Sequence, residues 1–499
     1  MIRTRKHLPI IFLIFILIVL FFHQGLRSEI QGPEEHGRRY NQLIIRNVIV
    51  IDGNGTPPRG PVDVIIENNT IQSVRSAKKD KDSYKEVEKV IDGSGMYLLP
   101  GLINIHGHIH EKRGEKPIPF EYLYKLWLSC GITTVRDVGS NYELTIKERE
   151  KSRKGEVAAP RIFLYMVAWC NTPEAARERI REIKRLGGDG IKIFGNDRDI
   201  MKAIMDEAHK VGLRVAHHVG VEETDAWDDA AFGVTSIEHW YGVPDAALHG
   251  SQGFPYWYNY SNEVDRFRYA GRLWREADPV KLKKVLQALV EKKVAWNPTF
   301  VIYEANRDLL RAMNQPWYQE YLHPALEEYF HPNPEHHGSY HWNWSTSDEI
   351  FWRENYQIWM RAVREFARMG GVVGVGEDAG YIYMVYGFSL IRELELHQEA
   401  GFHPIDVIQN ATGNNARILG MEDKLGRIKK GYLADLILLD ENPLQNFKYL
   451  YPTGVLDLKD GKLIRRGGIK WTIKDGIVYH VPTLLAEVRK MVSKAMKKR

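Results

Sequence analysis

GIKIFGNDRDIMKAIMDEAHKVGLRVAHHVG, residues 190–220, is the stretch on which the fold turns. It opens with an apolar run of buried-strand type, GIKIFG. It continues through an amphipathic helical stretch, RDIMKAIMDEAHKVG, and returns to an apolar run, LRVAHHVG. Strand, helix and strand in so few residues make a parallel crossover unit. Upstream, GITTVRDVG precedes a helical stretch at Glu143–Lys154, and PRIFLYMVAW precedes PEAARERIREIKRLGG. Downstream come TSIEHW and, much later, VVGVGEDAG. From residue 99 to about 420 this alternation predicts an α/β architecture, a (β/α)8 TIM-like barrel.

The flanks read differently. LIIRNVIVIDG and VDVIIENNTIQSV are short β-type runs with turn residues between them, and β patterns return in GRIKKGYLADLILLD, VLDLKDGKLIRRGG and IKDGIVYHV. The simplest arrangement joins residues 41–98 and 421–482 into one composite β-sandwich domain built from both chain ends. Residues 483–499 predict a basic C-terminal helix docked on the body. One region breaks the barrel rhythm: nine of the thirteen tryptophans lie between Trp240 and Trp359. An aromatic-rich insertion at about 244–350 is expected there, as a packed subdomain or as a lid over substrate.

Composition narrows the function. The 499 residues are 44% hydrophobic and 27% charged, which excludes wholesale disorder. The net charge of +5 owes much to the two ends, with no basic stripe through the body, so nucleic acid is excluded as a partner. Cys130 and Cys170 are too few for a disulfide framework. Residues 8–22, LPIIFLIFILIVLFF, follow a basic start, so 1–28 read as a signal peptide or N-terminal membrane anchor, with 29–40 as linker. HQGLRSE offers no small-x-small cleavage site, which favours a retained tether. Either way the bulk of the chain is expected to be exported, periplasmic or extracytoplasmic.

Chemistry-bearing residues fall at the predicted strand ends. His106 and His108 in LLPGLINIHGHIH alternate on a strand, so both imidazoles point the same way, with His110 giving a second register. Lys192 lies inside an apolar strand, where an isolated ammonium is costly. A neutral amine there can react with carbon dioxide to form a carbamate able to bridge two cations, although an ion-paired lysine is the plainer reading. His218 and His239 each end a run, and His217 points to the opposite face as packing. Asp378 ends VVGVGEDAG, and alternation lets only one of Glu377 and Asp378 face the barrel centre. Each signal is weak alone, but together four histidines, a lysine and an aspartate amount to a two-metal hydrolytic centre. His331, His336, His337 and His341 lie among prolines and read as a solvated rim.

With these motifs in hand, the sequence resembles the metal-dependent amidohydrolase superfamily, most closely its imidazolonepropionase-like and prolidase-like branch. The resemblance spans about Leu43 to Val478, carried by LLPGLINIHGH, GVTSIEHW, NATGNNARILG and GRIKKGYLADLILLD. It implies two divalent metal ions, zinc by default, with manganese, cobalt or iron as alternatives. His106, His108 and Asp378 would hold the more buried ion, and His218 and His239 the more exposed one. Lys192 would bridge both as its carbon dioxide adduct. The implied reaction is cleavage of a C–N amide bond by a metal-bridging hydroxide, with Asp378 as general base and acid and His239 near the oxyanion. Tyr241, Arg136 and His110 are expected substrate contacts, although Tyr241 as packing and Arg136 paired to Asp137 are competing readings. Two departures from the family pattern stand out: Asn104 in place of an aspartate two residues before the first histidine, and Glu377 in place of a small residue.

The expected partner is a small-molecule or short-peptide substrate with an apolar or ring-bearing side, and a homo-oligomer is compatible with the sequence. A lactonase or phosphotriester hydrolase would use the same centre. A deaminase would use one metal and no bridging lysine. A non-catalytic scaffold would lack ligands that are all filled here.

Overall fold

The computed structural model describes residues 32–498 except 79–83, 220–223, 251, 260–261, 334–335 and 337. The apolar run 8–22 and His337 therefore lie outside the described residues. Among those described, no helix is long and apolar enough to cross a membrane.

Seven parallel strands form the barrel wall in chain order: Leu102–Gly107, Ile132–Val138, Arg161–Val167, Gly190–Ile193, Arg214–His217, Ser236–Glu238 and Ala295–Asn297. Nearly every position in them is buried, as a sheet covered on both faces requires. Residues 372–378 take the eighth place without regular strand structure. Trp296 N donates to Val372 O and Gly374 N to Trp296 O on one side. Ile105 N donates to Val375 O and Asp378 N to His106 O on the other. Glycine explains both the irregularity and the closeness, because a Cβ on Gly376 would lie 2.6 Å from the His106 Cβ.

The helices between strands start and stop where their caps dictate. Tyr142–Lys154 begins at Asn141, whose side chain accepts from Glu143 N and Leu144 N, and ends at left-handed Gly155. Pro173–Arg185 begins at Thr172 with proline in its first turn. Arg198–Val211 ends at left-handed Gly212. These helices and strands share a core of Leu164, Ile180, Ile191, Ile204 and Val215.

The chain ends meet in one nine-stranded mixed sheet. Leu436–Leu439 pairs antiparallel with Tyr97–Pro100 on one side and with Ile469–Lys474 on the other. Leu43, Ile45, Val64 and Ile66 from the N-terminal part pack with Leu436, Leu438, Ile473 and Val478 from the C-terminal part. The last helix, Val481–Met496, buries Leu484, Leu485, Val488 and Val492.

The aromatic-rich region is not one insertion. The seventh barrel strand, Ala295–Asn297, cuts through it, and three residues are too few to announce a strand by periodicity. Before it lie the helices Glu263–Ala270 and Pro279–Glu291, and after it a helical lobe ending in Thr346–Arg368. Trp240, Trp274, Trp296, Trp352 and Trp359 are core, whereas Phe267, Tyr303, Tyr329 and Tyr340 line a cavity over the barrel mouth.

Candidate metal centre

A cavity of about 690 Å³ opens at the C-terminal ends of the barrel strands. His106, His108, His110, Lys192, His218, His239 and Asp378 all line it. Side chains spread over most of the chain thus reach one space. Ligand atoms of His106, His239 and Asp378 lie within 4.8 Å of one another. His108 Nε2 is 2.9 Å from Asp378 Oδ1, and His106 Nε2 and His239 Nε2 are 3.8 and 3.7 Å from that carboxylate. His218 joins through its ring, 4.5 Å from that of His239 between centroids.

Two of these residues have strained backbones. His239 (φ 66°) and Asp378 (φ 53°) both occupy the left-handed region, beyond the regular end of their segments. Non-glycine residues are held there only where the surroundings over-determine them, a condition that recurs at functional sites.

The imidazoles are fixed from behind. His106 Nδ1 donates to Glu238 Oε2 at 2.7 Å, and Glu238 also accepts from Asn297 Nδ2, Ser236 Oγ and the Arg136 guanidinium. His239 Nδ1 donates to Thr299 Oγ1 at 2.6 Å, whose hydroxyl donates in turn to Pro298 O. Each contact holds the proton on Nδ1 and leaves Nε2 facing Asp378 as a lone-pair donor, the arrangement metal-binding histidines use. Glu238 and Thr299 were not anticipated. Glu238 was visible in TSIEHW, two residues after Ser236 on the same strand face, but nothing local pointed from it to His106.

Electrostatics suits cations. Burial pushes the His106 imidazole down to about 4 and the imidazoles of His218 and His239 well below their ordinary value, so all three are neutral. Burial alone would raise the Asp378 carboxyl, but His106 and the hydrogen bond from His108 Nε2 hold it below its ordinary value. Burial lowers the Lys192 amine to about 8, against the pull of Glu238 and Asp378. Lys192 Nζ is buried with no hydrogen-bond partner among the described residues. An orphaned amine beside neutral imidazoles and an ionised carboxylate is a donor set that fits divalent metal.

The other expectations divide. His110 lines the cavity, 3.3 Å through Nε2 from Tyr381 Oη. Tyr241 does not line it: its ring stacks behind His218, 5.3 Å between centroids, a packing position. Arg136 is a correction. It is fully buried and donates to Ile105 O, Ser236 Oγ and Glu238, which leaves it no reach to a substrate carboxylate. Asp137 is not its partner either, since that carboxylate accepts from Ser140 and Thr145. His217 is packing, bonded to buried Asp229 at 2.6 Å. His341 bonds Asn306 and His336 stacks on Tyr329, so these two do not form a second metal cluster.

The two departures from the family pattern touch each other. Asn104 Nδ2 donates to Glu377 Oε1 at 3.0 Å, and Asn104 Oδ1 accepts from Glu377 N. Trp127 Nε1, Gly387 N and Leu390 N also donate to the Glu377 carboxyl, which burial pushes up to about 8. An aspartate at 104 would set a second carboxylate against it, so the asparagine and the glutamate accompany each other for a physical reason.

The Amidohydrolase family model matches residues 355–464. A dihydroorotase of Thermus aquaticus is 36% identical over 73 residues, 15% of each chain. An ochratoxinase of Aspergillus niger is 37% identical over 114 residues, 22% of this chain and 23% of that protein. The chain thus matches less than a quarter of the length of these two curated relatives. In fold it resembles a Xaa-Pro dipeptidase solved with methionine in its active site, at TM-score 0.61 and 20% identity over 88% of this chain and all of that one.

Proposed function

We propose that this member of the amidohydrolase superfamily is a metal-dependent hydrolase that cleaves a carbon–nitrogen amide bond in the barrel-mouth cavity. The observation that carries the reading is the convergence of His106, His239 and Asp378 beside the unpartnered amine of Lys192. His106, His108 and Asp378 would hold one divalent ion and His218 and His239 a second, zinc by default for so many imidazoles. When bound, such ions polarise the scissile carbonyl and lower the proton affinity of the attacking water.

The residues of the chain supply the rest. The neutral Lys192 amine adds to carbon dioxide: its lone pair forms the N–C bond, the nitrogen releases a proton, and an anionic carbamate results. An amine lowered to about 8 has a substantial neutral fraction near pH 7.5. Asp378, ionised and buried, accepts the proton of the attacking water and returns it to the leaving nitrogen, a general base that becomes a general acid. Glu238 and Thr299 keep Nε2 of His106 and His239 turned inward throughout. Phe194, Phe267, Tyr303 and Tyr340 give the cavity aromatic walls. The names of the relatives support an amide-type bond: the ochratoxinase and the Xaa-Pro dipeptidase both share this fold.

Metal-loaded protein assayed against dipeptides, N-acyl amino acids and lactones tests the reading. Turnover of amides is expected, and Lys192→Ala should remove it until a short carboxylic acid is added. Turnover of lactones alone would move the activity to another bond.

A further inference from the structure

Two exposed features of the molecule take no part in the metal centre. The first is a two-stranded ribbon, Val455–Lys459 paired antiparallel with Lys462–Arg466, which stands apart from both larger sheets. Leu456 and Leu458 alternate onto one of its faces, where Leu458 lies opposite Leu463 and Leu456 opposite Arg465. That face is turned to solvent: Leu456, Leu458 and Leu463 are 64, 67 and 73% exposed. Leucines bared side by side, rather than singly, mark an interaction surface. At the ribbon tip the exposed Lys459 and Lys462 lie opposite each other, a like-charge pair that an external anion would relieve.

The second feature is the last helix. Val481, Leu485, Val488 and Val492 form its buried stripe. On the opposite side the exposed Lys490, Lys494 and Lys497 follow one another at helical spacing, with Lys498 beside them. Among the described residues none of these lysines forms an ion pair, and the one acid of the helix, Glu487, is held by Lys125 at 2.8 Å. Both features border one groove. Val455, Leu456 and Arg465 of the ribbon line it together with Glu320 and Tyr321, and Arg489 of the helix donates to Tyr321 Oη at 2.7 Å and to Glu320 at 3.4 Å.

The chain outside the described residues leads to the same helix. A Cβ on Gly32, the first described residue, would lie 2.7 Å from Thr483 Oγ1 in the first helical turn. From Thr483 to Lys494 is about 16 Å along the helix. Residues 23–31 separate Gly32 from the apolar run 8–22, and a segment of that length spans at most about 30 Å. A bilayer that holds the run is therefore within reach of the lysines.

We propose that the leucine ribbon and the lysine stripe dock on an anionic phospholipid bilayer. The leucines enter the headgroup layer and the lysines pair with lipid phosphates. Exposed leucines flanked by lysines suit a surface that is apolar beneath and negative above, whereas an acidic soluble partner would account for the lysines and leave the leucines bare.

The test uses the full chain with Leu13→Asp and Leu17→Asp, which keep the apolar run out of lipid. It is floated with vesicles of phosphatidylcholine alone or with about one third phosphatidylglycerol. Flotation with the mixed vesicles and not with the neutral ones is expected, weakened by salt. Each of Lys490→Gln, Lys494→Gln and Lys497→Gln should lower affinity about 5-fold. Leu458→Ser with Leu463→Ser should lower it as well, with an unchanged melting temperature, because all these positions are exposed. Equal binding to both vesicles overturns the proposal, as does binding that ignores these substitutions and depends instead on Arg3, Arg5 and Lys6. A dimer seen by light scattering that Leu458→Ser with Leu463→Ser dissolves, without flotation, gives the ribbon to a second copy and likewise overturns it.

Discussion

The two ends of the barrel treat buried charge in opposite ways. Where the strands begin, the buried cations Arg161 and Lys474 are hydrogen-bonded. Arg161, the first residue of the third strand, pairs with Asp435 and Asp475 of the flanking sheet and bonds Thr134. Lys474, buried beside them, donates to Ser152 O at 2.9 Å. Where the strands end, Lys192 has no hydrogen-bond partner among the described residues. The backbone strain at His239 and Asp378 belongs to that end as well. The floor carries groups that satisfy one another, and the mouth carries groups that await something brought from outside. This division of labour is the one a (β/α)8 barrel permits, because its strand ends are free of the sheet ladder.

Substitutions at each end should separate the two roles. The largest effect is expected from Asp378→Asn, which removes the proton carrier: kcat should fall about 10³-fold, with a melting temperature close to that of the unaltered chain. Next, Arg161→Ala should leave Asp435 buried without its partner and cost about 3 kcal/mol in denaturant unfolding. Its kcat per folded molecule should be unchanged, and a fall in kcat would blur the distinction. Thr299→Val takes away the acceptor of His239 Nδ1, so chelator competition should report metal affinity weakened about 10-fold. The smallest effect belongs to Trp169→Ala at the cavity edge, whose ring stacks on Phe194 at 4.9 Å: a few-fold rise in KM with kcat retained.

How much of this was legible follows from how local each signal is. The alternation around residues 190–220 is a property of consecutive residues, so the barrel could be read without coordinates. The seventh strand has three residues and showed no period, whereas VVGVGEDAG was legible as a strand-like run although, with Gly374 and Gly376 in it, it forms no regular strand. The ligand candidates announced themselves as polar residues ending apolar runs. Their supports did not, because Glu238 meets His106 across 132 residues and Thr299 meets His239 across 60. Arg136 misled for the same reason, since the partner that uses up its charge is 102 positions away. The Asn104–Glu377 contact shows the converse: each residue was noticed as unusual, but only their meeting across 273 positions explains either.

The metal content of the purified protein, measured by elemental analysis on the unaltered chain and on Lys192→Ala side by side, tests the central claim most directly. Two divalent ions per chain are expected for the first, with at least one lost from the second. A chain that retains none after metal loading, or a lysine variant that keeps the full complement, would contradict it.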